Sequence, residues 1–256
     1  MLLAFDIGNT NIVVGLYSKR ELLGSFRFAT RQAVTADELS LLISGWLHSR
    51  NHRDGDISAI IICSVVPSLT GIFEQLAQNN FGRKALLVTA KIKLPIKIEI
   101  DQPGQVGADR IANSVAGYKK FGGELIVIDF GTATNFDVVN KEGAYIGGVL
   151  LPGPETSMSE LARKAARLYE VTFAPPERVV GRSTTEALMS GLYHGTVGQI
   201  DFIIDKILKE TKFTNSTIVA TGGLAEKVAI HSNYIKNIEP NLTLEGLQII
   251  SELNFD

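Results

Sequence analysis

Residues 2–17 read LLAFDIGNTNIVVGLY, two apolar runs separated by a short polar turn. The first run ends at Asp6, and the turn passes through GNTN, residues 8–11, before the second run begins. Buried strands are apolar, whereas glycine and asparagine favour tight turns, so the pattern predicts an antiparallel hairpin. The carboxylate of Asp6 then lies at the end of a strand.

The same pattern returns in residues 125–140, LIVIDFGTATNFDVVN, where Asp129 takes the place of Asp6, 123 positions further on. A third strand is predicted after each copy, at 22–28 and 144–150, followed by helix, strand and helix. Each half therefore has the order βββαβα. A repeat of this length that occurs twice indicates a duplicated domain rather than a solenoid.

The predicted fold is α/β, with two similar lobes that face each other across an interlobe cleft. Gly122-Gly123 is a natural breaker, so the lobes are predicted at 1–121 and 122–256. A doubly wound open sheet is the main alternative, but helices rather than tight turns connect its strands. The remaining predicted strands are at 57–66, 85–88 and 217–220. Helices are predicted over 68–79, 159–168 and 183–209. Further helices are predicted to start at the capping box Thr35–Glu38, near 106–110 and near 222.

Composition excludes several classes of function. The 256 residues include 25 Lys and Arg against 27 Asp and Glu, so the net charge of −2 supplies no basic field for nucleic acid. No apolar run reaches the roughly 20 residues of a membrane helix. Cys63 is the single cysteine, which agrees with a reducing compartment, and a cytoplasmic location is expected.

The two polar turns suggest a polyphosphate site. Gly8 and Gly131 allow backbone N–H groups to approach an anion, and an aspartate beside phosphate is most useful when it holds a hydrated Mg²⁺. Taken alone, the first turn is better explained as a structural Asx turn, but two matched turns favour two sides of one phosphate clamp. Thr221-Gly222-Gly223 exposes backbone against which a base or ribose can lie.

A second candidate site is predicted where VGADR, residues 106–110, opens a helix. The helix N-terminus and Arg110 suit a substrate carboxylate, and Asp109 could accept the proton of an attacking hydroxyl. The structural alternative is a helix-start aspartate paired with Arg110.

Together, these elements resemble the acetate and sugar kinase, heat-shock chaperone and actin superfamily, whose phosphate and adenosine motifs occur in this order. The resemblance implies duplicated ribonuclease-H-like, or actin-like ATPase, lobes. Within that superfamily, GADR closely followed by DFGT is similar to type III pantothenate kinase. The similarity extends over nearly the whole chain, through the segments DIGNTN, ICSVVP, GADRIAN, IDFGTAT, GGVLLPG, VVGRST and ATGGLA.

The resemblance implies ATP-dependent phosphorylation of pantothenate to 4′-phosphopantothenate, the first step of coenzyme A biosynthesis. It implies a monovalent cation (K⁺ or NH₄⁺) and a homodimer. Mg²⁺ is expected from the aspartate beside phosphate, and the charge and hydropathy of the chain predict no nucleic acid or membrane as partner. Asp109 is implied as the catalytic base and Asp129 as the ligand of the monovalent cation. The implied ATP-binding residues are Asp6, Ile7, Gly8, Asn9, Thr10, Asn11, Ile12, Val13 and Thr132. The implied substrate-binding residues are Gly107, Ala108, Asp109, Arg110 and Thr184.

Three positions depart from the family pattern. Ile100 stands where many members have tyrosine, Tyr169 where a Leu-Pro step is common, and Asn135 where a second threonine often follows. Ile100 favours an alternative function, a kinase of another small hydroxy acid. A non-catalytic nucleotide-binding regulatory factor is a further alternative, although it would not need Asp6, Asp109 and Asp129 together.

Overall fold

The computed structural model describes residues 1–255 of the chain. Its strands are β1 Leu2–Ile7, β2 Asn11–Ser18, β3 Glu21–Ala29, β4 Ala59–Ser64, β5 Leu86–Leu87, β6 Lys97–Ile98, β7 Leu125–Phe130, β8 Ala133–Val139, β9 Ala144–Pro152, β10 Thr217–Gly222 and β11 Asn237–Ile238. Its α-helices are α1 Ala36–Ser49, α2 Pro67–Phe81, α3 Ala108–Phe121, α4 Pro154–Lys164, α5 Thr184–Thr211, α6 Ala225–Ala229 and α7 Leu242–Asn254.

The residues form two compact units. The first contains Met1–Lys120 together with the C-terminal residues from Asn241 onward, and the second contains Phe121–Pro240. The predicted second lobe, 122–256, includes the C-terminal helix α7. The structure instead groups α7 with the first unit, where it packs against β1, β2 and β4.

The sheet of the first unit has the strand order β3-β2-β1-β4-β5. Strands β1, β2 and β3 are antiparallel neighbours, whereas β4 pairs parallel to β1. Leu3, Phe5 and Ile7 of β1 join the core cluster with α1 and α2. Side chains alternate along a strand, so Asp6 lies on the opposite face, the face on which Gly15 meets Leu244 of α7.

The second unit repeats this arrangement, with neighbouring strands in the order β9-β8-β7-β10-β11. Ile126, Ile128 and Phe130 of β7 pack in a core cluster with α5 and α6. Asp129 therefore lies on the other face of its sheet, as Asp6 does in the first unit. The equivalent strand orders confirm the predicted duplication of βββαβα.

Several local predictions are confirmed. Thr35 caps α1, and a reciprocal capping box forms with Glu38. Ser183 caps α5, whose observed bounds lie within two residues of the predicted ones. The prediction for α4 was wrong, because the helix runs over Pro154–Lys164 and not 159–168. The N–H of the first residue of a helix has no partner within the helix, so proline, which lacks an N–H, is well suited to that position. Pro154 accordingly begins α4.

A C-terminal helix and the two-residue strands β6 and β11 were not predicted. Leu242, Leu247 and Ile250 of α7 are buried at helical spacing. A Cβ on Gly246 would overlap the backbone of Ala112 in α3, so the two helices pack closely there. Among residues 1–255, no helix combines the length and apolar character needed to cross a membrane.

Candidate active site

The first polar turn is held rigidly at the end of β1. Gly8 donates its N–H to the carbonyl of Asn11 at 3.0 Å. Thr30, which follows β3, donates its hydroxyl to the carbonyl of Gly8 at 2.7 Å and its N–H to the carbonyl of Thr10 at 2.9 Å. Asn9 and Thr10 remain exposed at the tip, beside the partly buried Asp6. The turn thus presents fixed polar groups next to one carboxylate.

The second turn is shorter than the first. Ile7 pairs with Ile12 across the first hairpin, whereas Phe130 pairs with Thr134 across the second, so one fewer residue separates the paired positions. Gly131 accordingly donates its N–H to Ala133, at 3.0 Å. The sequence repeat conceals this difference, because both turns contain an aspartate followed two positions later by glycine.

The start of α4 braces the second turn. Gly153 donates its N–H to the carbonyl of Thr132 at 3.0 Å, and the hydroxyl of Thr156 donates to the same oxygen at 2.7 Å. A Cβ at Gly153 would lie 2.5 Å from the carbonyl oxygen of Gly131. Only glycine therefore permits this approach of the two backbones.

The Gly-Gly motif meets the same region of the second unit. Gly222 has φ of +89°, and a Cβ there would lie 2.5 Å from the carbonyl oxygen of Phe130. Gly223 donates its N–H to that oxygen at 3.2 Å. Gly131, Thr132, Gly222 and Gly223 are all exposed. The ends of β7 and β10 thus expose adjoining backbone with little side-chain cover, which suits phosphates and a flat base.

Asp129 has two polar neighbours in register, Asn135 on β8 and Thr221 on β10. Paired residues share a face of the sheet, so these side chains lie beside the carboxylate. The side-chain carbonyl oxygen of Asn135 is buried and has no hydrogen-bond partner. Alkali cations bind oxygen ligands, so a carboxylate beside a buried, unsatisfied amide oxygen fits the implied monovalent cation. Residues 1–255 contain no group of three or more His, Cys, Asp or Glu side chains that could hold a metal ion.

The predicted acceptor residues are contiguous at the start of α3. The side chain of Asp109 folds back so that its Oδ1 accepts the N–H of Arg110 at 2.8 Å. A Cβ at Gly107 would lie 2.5 Å from that same Oδ1, so glycine makes room for the carboxylate. Burial raises the pKa of Asp109, while the bond from the Arg110 N–H and the charge of Arg110 act in the opposite direction.

Thr184 is the first residue of α5 and is exposed. Ser183 supplies the capping oxygen by accepting the N–H of Glu186 at 3.2 Å, so the hydroxyl of Thr184 is not needed as a cap. Tyr169, one of the departures from the family pattern, shares a hydrogen bond with Thr185. This contact ties the segment after α4 to the start of α5. Ile100 is partly buried in the loop that follows β6.

Within each unit, the structure shows which of the sequence-predicted residues are direct neighbours. Asp6 adjoins the 8–11 turn, and residues 107–110 form one turn of backbone. Thr132 lies in the turn that the start of α4 holds in place. The Gly-Gly motif at 222–223 adjoins this turn. Sequence reasoning missed Gly153 and treated Asn135 only as a departure. The run LPGP, residues 151–154, was the available signal for Gly153, since glycine followed by proline often precedes a helix.

Comparison with known proteins gives a consistent result. The family model for type III pantothenate kinase matches residues 2–206. A protein from Geobacter sulfurreducens named type III pantothenate kinase is 43% identical over 254 residues, which are 99% of this chain and 99% of the relative.

Solved structures share the fold at lower identity. One is a conserved putative Baf family transcriptional activator from Campylobacter jejuni, with a TM-score of 0.60, 21% identity and coverage of 98% of this chain and 97% of that one. Another is a putative 2-dehydro-3-deoxygalactonokinase protein from Sinorhizobium meliloti, with a TM-score of 0.65, 13% identity and coverage of 98% and 96%. At these identities the structures support the actin-like fold, and the closer sequence relative supports the family. The chain belongs to the type III pantothenate kinase family.

Proposed function

We propose that the protein transfers the γ-phosphoryl group of ATP to the 4′-hydroxyl of pantothenate, the first step of coenzyme A biosynthesis. The observation that carries this proposal is the 43% identity, over nearly the full length of both chains, to a protein named for that activity. The local structure supports it, since an aspartate stands at the start of α3 and glycine-lined turns end the central strands of both sheets.

Asp109 is the proposed catalytic base. Its carboxylate is held through Oδ1, which accepts the N–H of Arg110. Oδ2 is the oxygen proposed to accept the proton of the attacking hydroxyl. Gly107, Ala108 and Arg110, with the N-terminal dipole of α3, are proposed to bind the pantothenate carboxylate. Thr184 is proposed as a further substrate ligand. Phosphoryl transfer depends more on such positioning and charge balance than on a strong base.

The ATP-binding role is proposed for residues 6–13 and Thr132. The backbone N–H groups of both turns suit phosphate oxygens, and the exposed backbone of Gly222 and Gly223 suits the base or ribose. Asp6 is proposed to hold Mg²⁺ through its hydration shell. When bound, Mg²⁺ supplies positive charge that offsets the charge developing on the transferred phosphoryl group.

Asp129 is proposed to hold the monovalent cation, K⁺ or NH₄⁺, with the amide oxygen of Asn135 as a second ligand. Removing the Asp129 charge should weaken the site, so we expect Asp129→Asn to raise the K⁺ concentration for half-maximal activity by about tenfold or more. The measurement is initial rate against KCl concentration at fixed ATP and Mg²⁺. Asp205→Asn, which changes a partly exposed aspartate that pairs with Lys209, should leave the curve unchanged. Identical K⁺ curves for wild type and Asp129→Asn would contradict the assignment.

The raised pKa of Asp109 predicts the pH dependence of the reaction. A protonated carboxyl cannot accept the hydroxyl proton, so kcat/KM should fall as pH falls through the pKa of Asp109. Because burial raises this pKa, the acid limb should lie above the ordinary aspartate value of about 3.9. The position of this acid limb is measured from the profile of kcat/KM for pantothenate between pH 4.5 and pH 8. The K⁺ concentration and the ionic strength are kept constant throughout. A rate independent of pH to the acid end would argue against Asp109 as the base.

The acceptor can be identified by competition among hydroxy acids. We expect purified protein with ATP, Mg²⁺ and K⁺ to form ADP in the presence of pantothenate, with the highest kcat/KM among small hydroxy acids tested side by side. A higher value for another acid would overturn pantothenate as the substrate and support the alternative suggested by Ile100. A homodimer and a cytoplasmic location complete the proposal, and light scattering of the eluted protein measures the first.

A further inference from the structure

Tyr193 in the middle of α5 forms an unusual junction. Its side chain is fully buried, and its hydroxyl donates to the carbonyl of Lys227 at 2.9 Å while lying 2.7 Å from Nδ1 of His231. A phenol carries one proton, so donation to Lys227 leaves its oxygen to accept the Nδ1–H of His231. A tyrosine hydroxyl is protonated at neutral pH, and burial raises the pKa of Tyr193 further above that range.

The two partners of Tyr193 lie in and just after α6. This helix has only five residues, and isolated helices of that length are not stable. Ala225 and Val228 anchor its inner face in the core, and the ammonium group of Lys227 donates to the carbonyl of Phe173 at 3.0 Å. The placement of α6 therefore depends on contacts with the surrounding elements.

A second contact from α5 holds the segment that follows α6. Oδ1 of Asp201 accepts the hydroxyl of Ser232 at 2.6 Å, and Oδ2 accepts the backbone N–H of Asn233 at 2.9 Å and its side-chain amide at 2.8 Å. Tyr193 and Asp201 thus attach α6 and the segment that follows it to the 28-residue helix α5.

The start of α6 is joined to the Gly-Gly turn without any intervening loop. Gly222 ends β10, and only Gly223 and Leu224 precede Ala225. Any movement of α6 must therefore be absorbed by the turn. The phosphate-side turn at 131–132 has its own braces, the N–H of Gly153 and the hydroxyl of Thr156.

We propose that Tyr193 is a positioning residue for the adenosine half of ATP, because its hydroxyl fixes α6 and, through it, the Gly222-Gly223 turn. The inference rests on the proposed function, which places the base and ribose against that turn. It assigns no contact between Tyr193 and the nucleotide. The consequence is selective, since losing the hydroxyl should disturb adenosine binding and leave phosphate binding intact.

The test is Tyr193→Phe, which keeps the ring and removes both hydrogen bonds. Each lost intramolecular hydrogen bond commonly corresponds to a change of about threefold to tenfold in a conformational equilibrium, and part of the combined loss is passed on to adenosine binding as a change of about threefold to tenfold. We expect KM for ATP to rise by that factor, while kcat and KM for pantothenate stay within about twofold. In equilibrium titrations, adenosine and ADP should weaken by the same factor, whereas inorganic tripolyphosphate should bind as it does to wild type.

Tyr145→Phe is the matched control. Tyr145 is also a buried tyrosine of the second unit, but its hydroxyl donates to Oδ1 of Asp137 in β8, at 3.1 Å. Its loss should affect thermal stability without a selective change in adenosine binding. His231→Ala, at an exposed position, removes one of the two bonds with little risk to folding and should show a smaller shift in the same direction.

Two results would overturn the inference. One is a lower Tm for Tyr193→Phe with unchanged adenosine affinity, which would make the junction purely structural. The other is an equal loss of tripolyphosphate binding, which would show that the disturbance is not confined to the adenosine side. Both results differ from failure of the proposed function, which would appear as wild-type protein that does not phosphorylate pantothenate.

Discussion

Replacing Asp109 with asparagine should lower kcat by about 10²- to 10⁴-fold, the range that general base catalysis contributes. Asparagine has nearly the same shape and can still accept the N–H of Arg110 through Oδ1. It cannot accept the proton of the attacking hydroxyl. KM for pantothenate should change much less than kcat, because Gly107, Ala108 and Arg110 remain in place.

A stability measurement separates lost chemistry from lost folding. Burial raises the pKa of Asp109, so the protonated carboxyl contributes stability at low pH that is lost as pH rises through the folded-state pKa. Asparagine stays neutral, so the variant should be at least as stable as wild type at pH 7. Asp101→Asn changes an exposed aspartate of the same unit and should leave both kcat and Tm unchanged. Full turnover by Asp109→Asn would remove Asp109 from the mechanism.

Gly246→Ala should be the most destabilising single methyl addition in the first unit. A Cβ at this position would overlap the carbonyl group of Ala112, so α7 and α3 must separate. Overpacking costs about 1–3 kcal/mol, and because backbone rather than a flexible side chain is in the way, we expect about 3 kcal/mol. The shift should also loosen the bond from the Thr243 hydroxyl to Oδ1 of Asn113, one turn after Asp109.

Thermal unfolding monitored by circular dichroism measures this effect. For a protein of this size the expected loss corresponds to a fall in Tm of roughly 10 °C. Gly71→Ala is the control, since it also adds a methyl group to a helix of the first unit but meets nothing within 4 Å. It should raise stability slightly, by up to about 1 kcal/mol, because alanine is the better helix former. Equal Tm values for the two variants would refute the proposed close packing of α7 on α3.

The sequence was sufficient for the duplicated core. The apolar runs that end near Asp6 and Asp129 indicate strands followed by polar turns. These features are predictable because hydrophobic periodicity and turn-forming residues are properties of the local sequence. The motifs that contain Gly107 and Gly222 could also be recognised from the local sequence. The steric reasons why glycine is required at these positions could not. Gly107 makes room for a neighbouring side chain, whereas Gly222 avoids the backbone of a strand about 90 residues earlier.

Features that depend on distant contacts were beyond local reading. The apolar periodicity of α7 is present in the sequence, but it does not state which unit the helix packs against. The close packing of α7 on α3 depends on Gly246 having no side chain. A hydrophobic pattern does not reveal such a requirement. The Tyr193–His231 bond joins positions 38 residues apart, and the unsatisfied oxygen of Asn135 becomes visible only once its strand neighbours are placed.

The central claim, pantothenate phosphorylation, is tested most directly by identifying the product. Purified wild-type protein is incubated with ATP, Mg²⁺, K⁺ and pantothenate, and the mixture is analysed by mass spectrometry and ³¹P NMR. We predict 4′-phosphopantothenate and ADP in equal amounts, with no product when pantothenate is omitted. Asp109→Asn should form the product about 10²- to 10⁴-fold more slowly than wild type. ADP formed without phosphopantothenate, or no turnover by folded wild-type protein, would contradict the claim.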